Sequence, residues 1–563
     1  MLSQRTGGVA LVEALLAQEV DTVFGVPGES YLAFLDGLFE ASEQVKLVMT
    51  RNEGGASFMA EAYAKLTGKV GICCVTRGPG ATNASIGVHT AMQASTPMIL
   101  FIGQVGRSMK GREAFQELDY TKFYGDVAKW VVELDDADRI PEIVARAFHV
   151  AQSGRPGPVV IALPEDMLRD KTYAPVAPKV IPVQADIGTQ KVDQIVSILE
   201  QATKPLIMVG GNGWTKVGKK NLQTFAETNN IPVIVAFRYH DLMDNNSTSY
   251  AGDAGVGMTQ NVKDLILDAD VILAVGTRFG ENTTDGYTLL KTPVPNQKLI
   301  HVHASDFDLY KVYIPTLAVH AGPNSLFEQL GKTELDNRGN WRTRCKTARE
   351  AYVKGLECPP QPGPVDMGVV TRWLRENLPD DAILTNGAGN FTVWPNKFFV
   401  YGENNRLLAP QSGAMGYGVP AAIAAKIAHP HRTVVCFAGD GDFQMNGQEL
   451  ATATQHKAQP IILVLNNGSY GTIRMHQERH YPERVVGTDI ENPDFVKLAE
   501  ACGYHAERVD HTHDFPEAFR RAQSSKTGAL LELTVSPEAL TPHQTLTEIR
   551  NTAFSVQSVN NGK

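Results

Sequence analysis

Along most of this chain, short uninterrupted apolar runs alternate with longer stretches of helical periodicity. Near the N-terminus the runs cover residues 22–26, 46–50, 71–76, 98–103 and 158–163, and helical stretches at 54–67 and 81–94 lie between them. A strand that is apolar at every position, rather than at every second one, must be buried on both faces. Strands of that kind alternating with helices predict parallel sheets covered by helices on both sides. The rhythm breaks at a Pro-rich stretch, 173–183, and again across 341–365, which ends in the Pro-rich run 358–363. Further runs fall at 206–209, 233–236, 271–275 and 299–303, then at 382–385, 433–437, 461–465 and 530–535. The pattern predicts an α/β protein of three doubly wound parallel-sheet domains, at 1–170, 186–335 and 366–540. The weakly patterned tail, 541–563, is expected to be a mobile arm. A length of 563 residues suits three domains of about 100–200 residues each.

Composition removes several function classes. The net charge of −9 is spread over 52 basic and 61 acidic residues, and no basic stripe offers a surface to nucleic acid. No apolar run approaches the ~20 residues needed to cross a bilayer, so no membrane partner is expected. The amphipathic segment at 8–19 begins almost at once and leaves no room for a signal peptide's apolar region, which predicts a cytoplasmic protein. Of the six cysteines, Cys73 and Cys74 are adjacent and cannot form a Cys-x-x-Cys pair. They read as small buried apolar residues.

The strongest chemical signal lies in the third block. Gly439-Asp440-Gly441 follows the apolar run 433–437, and Asn466-Asn467 ends the next run. One helix and one strand separate the two motifs. Consecutive strands of a parallel sheet end on the same edge, where open α/β sheets bind ligands. Asp440 and Asn467 would therefore present a carboxylate and an amide oxygen side by side. Hard oxygen donors of this kind suit Mg²⁺, which completes its shell with phosphate and water. The flanking glycines would let backbone approach a diphosphate.

This pairing resembles the signature of thiamine-diphosphate-dependent enzymes, and the likeness extends over nearly the whole chain. It implies an N-terminal pyrimidine-binding domain, a middle domain and a C-terminal diphosphate-binding domain. On that resemblance the side chains of Asp440 and Asn467 and the backbone oxygen of Ser469 would hold Mg²⁺. The diphosphate would lie against Gly439, Gly441, Asp442, Tyr470 and Gly471 on one side, and against Gly387-Ala388-Gly389-Asn390 on the other. Pro27, Gly28 and Glu53 would meet the pyrimidine end. Arg51-Asn52-Glu53-Gly54-Gly55-Ala56 resembles the family's R-H-E-x-x-A, with Asn52 where His is common. Glu53 would share a proton with pyrimidine N1′ and so make the 4′-amino group a base beside the reactive C2 carbon. Gly413-Ala414-Met415-Gly416-Tyr417-Gly418 resembles the stretch in which a bulky apolar residue, here Met415, wedges between the two cofactor rings.

Within that family the segments Thr76–Asn83 in sequence, Gly103-Gln104-Val105, Ala114-Phe115-Gln116-Glu117 and Lys129 look like acetolactate synthases. The resemblance implies that Phe115, Gln116 and Lys129 border the reaction space, and that Gln104 and Lys129 orient a substrate carboxylate or carbonyl. No His-His pair lies between Gly103 and Glu117, unlike pyruvate-decarboxylase-like members, which favours carboligation. There are departures. Gly471-Thr472-Ile473-Arg474-Met475-His476-Gln477 stands where the synthases read G-M-V-x-Q-W-Q, so Thr472 replaces Met and His476 replaces Trp. Arg77 stands where Ser is usual. A more polar and more cationic pocket is expected. The middle domain could hold FAD at Gly210-Gly211-Asn212-Gly213, at 252–258 and at Gly276-Thr277-Arg278-Phe279, although His303-Ala304-Ser305-Asp306 lacks the usual acidic pattern. The expected activity joins a decarboxylated 2-oxo acid such as pyruvate to a second carbonyl. The alternative is a lyase or hydrolase acting on 2-hydroxy ketones, diketones or 2-hydroxyacyl thioesters. The resemblance also implies a homodimer or homotetramer acting on small 2-oxo acid or ketone substrates.

Overall fold

The computed structural model describes residues 3–336 and 339–561, the side chains of 558–561 excepted. Three six-stranded sheets, all of whose neighbouring strands pair in parallel, divide the chain. The first contains Thr22–Gly25, Lys46–Met49, Gly71–Val75, Met98–Gln104, Trp130–Glu133 and Pro158–Pro164. Numbered in chain order, its strands lie second, first, third, fourth, sixth, fifth across the sheet. The third domain contains Ile383–Asn386, Arg406–Leu408, Val434–Gly439, Ile461–Asn466, His505–Val509 and Ala529–Thr534, in the same order. The middle sheet, from Pro205–Val209 to Leu317–His320, runs third, second, first, fourth, fifth, sixth, which is the dinucleotide-binding arrangement.

Interior strands such as Gly71–Val75 are buried at every residue, as their unbroken apolar sequence requires. Alternate side chains enter opposite cores: Cys73 packs in one and Cys74 in the other. All six cysteines are free. One core is shared between the first and third domains, where helices Glu53–Thr67 and Gly418–Ala428 meet through alanines. Inside it the buried Glu61 accepts the Thr96 hydroxyl at 2.7 Å and the Tyr417 hydroxyl at 2.5 Å, and pairs with Lys65 at 3.0 Å.

The tail corrects the expectation of a mobile arm. Residues Leu546–Asn561 form a helix. Leu546 and Ile549 pack with Met475 and Leu540, and the Arg550 guanidinium grips both oxygens of the buried Glu478 at 2.5 and 2.8 Å. The last two residues of the chain lie outside the described residues. No helix among the described residues is long and apolar enough to cross a membrane.

Candidate active site

Gly439, the last residue of its strand, pairs with Leu465, so Asp440 and Asn467 leave adjacent strands at nearly the same height. Asp440 opens the short helical turn Asp440–Phe443. Its Oδ1 accepts the Gly441 N–H at 2.9 Å; its Oδ2 accepts the Gly468 N–H and Asn492 Nδ2, both at 2.8 Å. Asn492 also donates to Asn466 Oδ1 at 2.9 Å and so ties the two strand ends together. Asn467 Oδ1 accepts the Ser469 N–H at 3.1 Å, and the Ser469 carbonyl accepts the Gly471 N–H at 2.8 Å. Asp440 Oδ1, Asn467 Oδ1 and the Ser469 carbonyl thus each keep one lone pair free. A carboxylate, an amide and a peptide oxygen fit Mg²⁺, which takes few protein ligands and draws the rest from phosphate and water. Among the described residues no group of three or more His, Cys, Asp and Glu could hold a metal, so a metal here would rest on one carboxylate.

Asp440, Asn467 and Ser469 line a cavity of about 260 Å³, together with Met415. Two walls of this cavity are held by side chains that line it. The Thr472 hydroxyl accepts the Asn390 N–H at 2.9 Å and donates to Asn390 Oδ1 at 2.8 Å, while Asn390 Nδ2 reaches the Leu540 carbonyl at 2.9 Å. The buried Asp442 staples the other two loops: its Oδ1 accepts the N–H of Ala388 at 3.1 Å and of Gly416 at 2.9 Å. A Cβ on Gly387 would fall 2.0 Å from that oxygen, so the carboxylate occupies the space that a side chain at 387 would need. Burial pushes the Asp442 carboxyl up to about 7, against the two N–H donors that favour its ionised form.

Glu53 is the first residue of helix Glu53–Thr67, which Asn52 caps through its side chain to the Gly54 N–H at 2.8 Å and Gly68 closes in the left-handed conformation. Its partly exposed carboxylate accepts Asn83 Nδ2 at 2.9 Å. Pro27 and Gly28 follow the strand Thr22–Gly25, and Gly28 lies beside Thr76. None of Pro27, Gly28 and Glu53 lines the cavity that holds Asp440. Within one chain the structure gathers Asp440, Asn467 and Ser469 on one cavity and leaves Pro27, Gly28 and Glu53 outside it.

None of Lys129, Phe115, Gln116 and His476 lines the cavity that holds Asp440; the side chain of Lys129 is held by backbone. Its ammonium donates to the carbonyls of Val150 and Ser153 at the end of helix Ile140–Gln152, and burial with Arg155 nearby lowers its pKa to about 8. Gln104 is buried, holding the Leu118 carbonyl and the Val105 N–H. Phe115 is 73% exposed, and Gln116 adopts a positive φ while its carbonyl accepts the Gly78 N–H. Arg77 adds no free charge, because Glu29 pairs with it at 2.8 Å. On helix Gly471–His480, Thr472 and Ile473 line the cavity; His476, one turn on, is exposed and stacks on His480 with ring centroids 6.2 Å apart.

In the middle domain, Gly211, Gly276, Thr277 and Arg278 line a cavity of about 440 Å³ against the first domain. A second cavity, of about 630 Å³, lies beside Arg155, Asp308 and Lys311. Arg278 donates to the Gln93 carbonyl at 2.6 Å, and Arg155 to Ser95 Oγ at 2.9 Å. Arginines at glycine-lined strand ends suit a phosphate-bearing cofactor. Asn492 and Glu449 were not legible as site residues, since their partners lie 52 and up to 398 positions away.

Comparison with known proteins agrees with this geometry. Residues 5–123 match the description "Thiamine pyrophosphate enzyme, N-terminal TPP binding domain", residues 192–330 the central domain of the same family, and residues 387–533 its C-terminal TPP binding domain. The acetolactate synthase large subunit of Parasynechococcus marenigrum is 33% identical over 94% of this chain and 87% of its own length. The acetolactate synthase of Arthrospira platensis is 31% identical over 94% of each chain. The Escherichia coli K12 acetolactate synthase isozyme 2 large subunit is 30% identical, covering 94% of this chain and 95% of its own.

Proposed function

The chain belongs to the thiamine pyrophosphate (thiamine diphosphate) enzymes, and from that premise we propose that it is a Mg²⁺-dependent carboligase of the acetolactate synthase type. Its reaction would release CO₂ from a 2-oxo acid such as pyruvate and join the remaining fragment to a second carbonyl compound. The observation that carries this reading is the convergence of Asp440, Asn467, Ser469 and Met415 on one cavity at the ends of adjacent strands. When bound, thiamine diphosphate supplies an acidic carbon whose carbanion adds to carbonyl groups and accepts the electrons freed by decarboxylation. The protein's share is geometry. Asp440, Asn467 and the Ser469 carbonyl would fix the metal and the diphosphate. Met415 would hold the bent shape of the cofactor. Glu53, with one oxygen on Asn83, has its other oxygen free to hold a proton at the pyrimidine ring.

A second copy of this chain would bring Glu53 to the cavity, because one chain leaves the two apart. Apolar residues exposed near these elements support such an interface: Phe115, Ile473, Tyr481 and Val486. Complementation tests it. Mixing Glu53→Gln chains with Asp440→Ala chains, each inactive alone, should restore about a quarter of wild-type activity, since half the dimers would carry one intact site. No recovery on mixing would overturn the shared site.

We also propose that the middle domain takes a phosphate-bearing nucleotide such as FAD, between Gly211, Arg278 and Arg155. Flavin fluorescence released on denaturing freshly purified protein would support it; protein without bound nucleotide would refute it. For the reaction itself, mass spectrometry of products from a panel of 2-oxo acids and diketones decides between carboligation and cleavage. A cleaved diketone with no ligation product would favour the lyase or hydrolase reading.

A further inference from the structure

The helix that starts with Glu53 has an unusual support. Its local cap, Asn52, serves only the Gly54 N–H. The N–H groups of Arg51 and Asn52 point the same way and need an acceptor. That acceptor comes from the third domain. Glu449, wholly buried at the end of the turn Gly447–Glu449, accepts the Asn52 N–H at 2.9 Å and the Arg51 N–H at 3.1 Å on Oε1. Its Oε2 takes the Thr452 hydroxyl at 2.5 Å. A Cβ on Gly55 would stand 2.7 Å from Oε1, so the helix starts against the carboxylate with no side chain between them. Two neighbours reinforce the contact: His456 Nε2 accepts the Met49 N–H at 3.0 Å, and Arg51 donates to Gln455 Oε1 at 2.7 Å. Burial raises the Glu449 pKa, and the Thr452 hydroxyl and the two peptide N–H groups offset only part of that rise.

From this contact we infer that Glu449 is a positioning residue, whose carboxylate fixes the Met49-to-Glu53 turn and so aims Glu53. It rests on the reading of Glu53 as the acid that serves the pyrimidine ring. Glu449 belongs to the segment that begins at Asp440, so the element bearing the metal carboxylate also braces the element bearing Glu53. Removing the carboxylate would leave two part-buried peptide N–H groups without their acceptor, and the turn would relax.

The experiment measures hydrogen–deuterium exchange at C2 of the bound cofactor, cofactor affinity and melting temperature in the full enzyme. Glu449→Ala is expected to slow exchange about tenfold, because small displacements of a catalytic group cost that much or more, while the cofactor still binds. Glu449→Gln keeps an acceptor oxygen for both N–H groups and should recover most of the rate. In a Glu53→Gln background, Glu449→Ala should slow exchange no further. Additive losses in the double mutant, or a lowered melting temperature with exchange unchanged, would overturn the proposal. If Glu449→Ala does not fold, Glu449→Asp, which withdraws the carboxylate by one methylene, should show the same pattern with a smaller loss. Glu53→Gln with normal exchange would instead overturn the reading of Glu53 itself.

Discussion

The first and third domains share one strand order and present their chemistry in opposite ways. In the third, three adjacent strands end together, and Ala388, Asp440 and Asn467, just beyond them, line one cavity. Asp440 sits above an interior strand, and three donors hold its carboxylate. In the first domain Glu53 follows Lys46–Met49, an edge strand, and Asn83 is the partner of its carboxylate. On the proposed reading, the same topology builds a preorganised half-site from the middle of a sheet and an open half-site from its edge. An interior strand end is flanked by neighbours that complete it; an edge strand end awaits another surface.

The largest expected effect breaks the preorganised half. Asp440→Ala removes the carboxylate of the proposed metal set and leaves the Gly441 and Gly468 N–H groups and Asn492 without their acceptor. Mg²⁺-dependent binding of thiamine diphosphate should be lost by calorimetry, and wild-type affinity would show that the metal does not rest on Asp440. Glu53→Gln probes the open half. The amide keeps the size and the Asn83 contact but cannot relay a proton. Binding should persist while turnover falls ~10²–10⁴-fold, the usual contribution of a general acid–base group. If both variants lost binding equally, the contrast between the two halves would fail.

The parts of this architecture that the sequence reveals are mostly those buried on both faces, with the edge strand Lys46–Met49 as the exception. The runs at 71–76 and 98–103 read as strands because no charged residue interrupts them, and both strands are interior. Trp130–Glu133, Leu317–His320, Arg406–Leu408 and His505–Val509 escaped notice, and all are edge strands. Three of them are largely half-exposed, so charged and polar residues interrupt their patterns. Tyr250–Ala254 is an edge strand too, but a buried one; its Gly252 and Asp253 break the apolar run. At the site, Asp440 and Asn467 were legible because a fixed helix-plus-strand spacing links them. The carbonyls that hold Lys129, at Val150 and Ser153, lie a helix away and left no mark near it in the sequence. Glu449 carries no local signal, since its role depends on how two domains pack.

A smaller effect is expected where the tail meets the preorganised half. Arg550 holds the Glu478 carboxyl down at about 2. The folded pKa lies below the ~4.3 of a free glutamate. The pair therefore contributes fully above that value, and its contribution is lost as pH falls toward 2. Arg550→Gln should cost about 2–3 kcal/mol, because a buried carboxylate loses a charged partner. Arg474, at 3.3 Å, would retain part of the pairing. Urea unfolding of both proteins near neutral pH and near pH 3 checks this, the difference shrinking at the lower pH. Hydrogen exchange across 546–557 should rise in the variant; unchanged exchange would mean that the Leu546, Ile549, Met475 and Leu540 contacts alone hold the helix.

The smallest effect concerns the mouth of the cavity, where the two half-sites would meet. Thr472 and His476 are four residues apart on one helix, so they share a face. Thr472 lines the cavity, and its hydroxyl is committed to Asn390. His476 flanks it, exposed and stacked on His480, and burial, Arg479 and His480 all favour its neutral ring. A neutral imidazole offers one donor and one acceptor and less apolar area than an indole. The wild type should therefore discriminate weakly between pyruvate and 2-oxobutyrate as acceptors, since the extra methylene meets little apolar wall. His476→Trp should move selectivity toward 2-oxobutyrate by about tenfold, the low end of what a single methylene in an apolar pocket commands. Adding Thr472→Met should enlarge that shift and also weaken cofactor binding, because Asn390 loses its hydroxyl partner. Competition assays with both acceptors give the product ratio. A ratio unchanged by His476→Trp would put this residue outside the acceptor wall, and the open half-site would then be closed by residues other than those facing it along this helix.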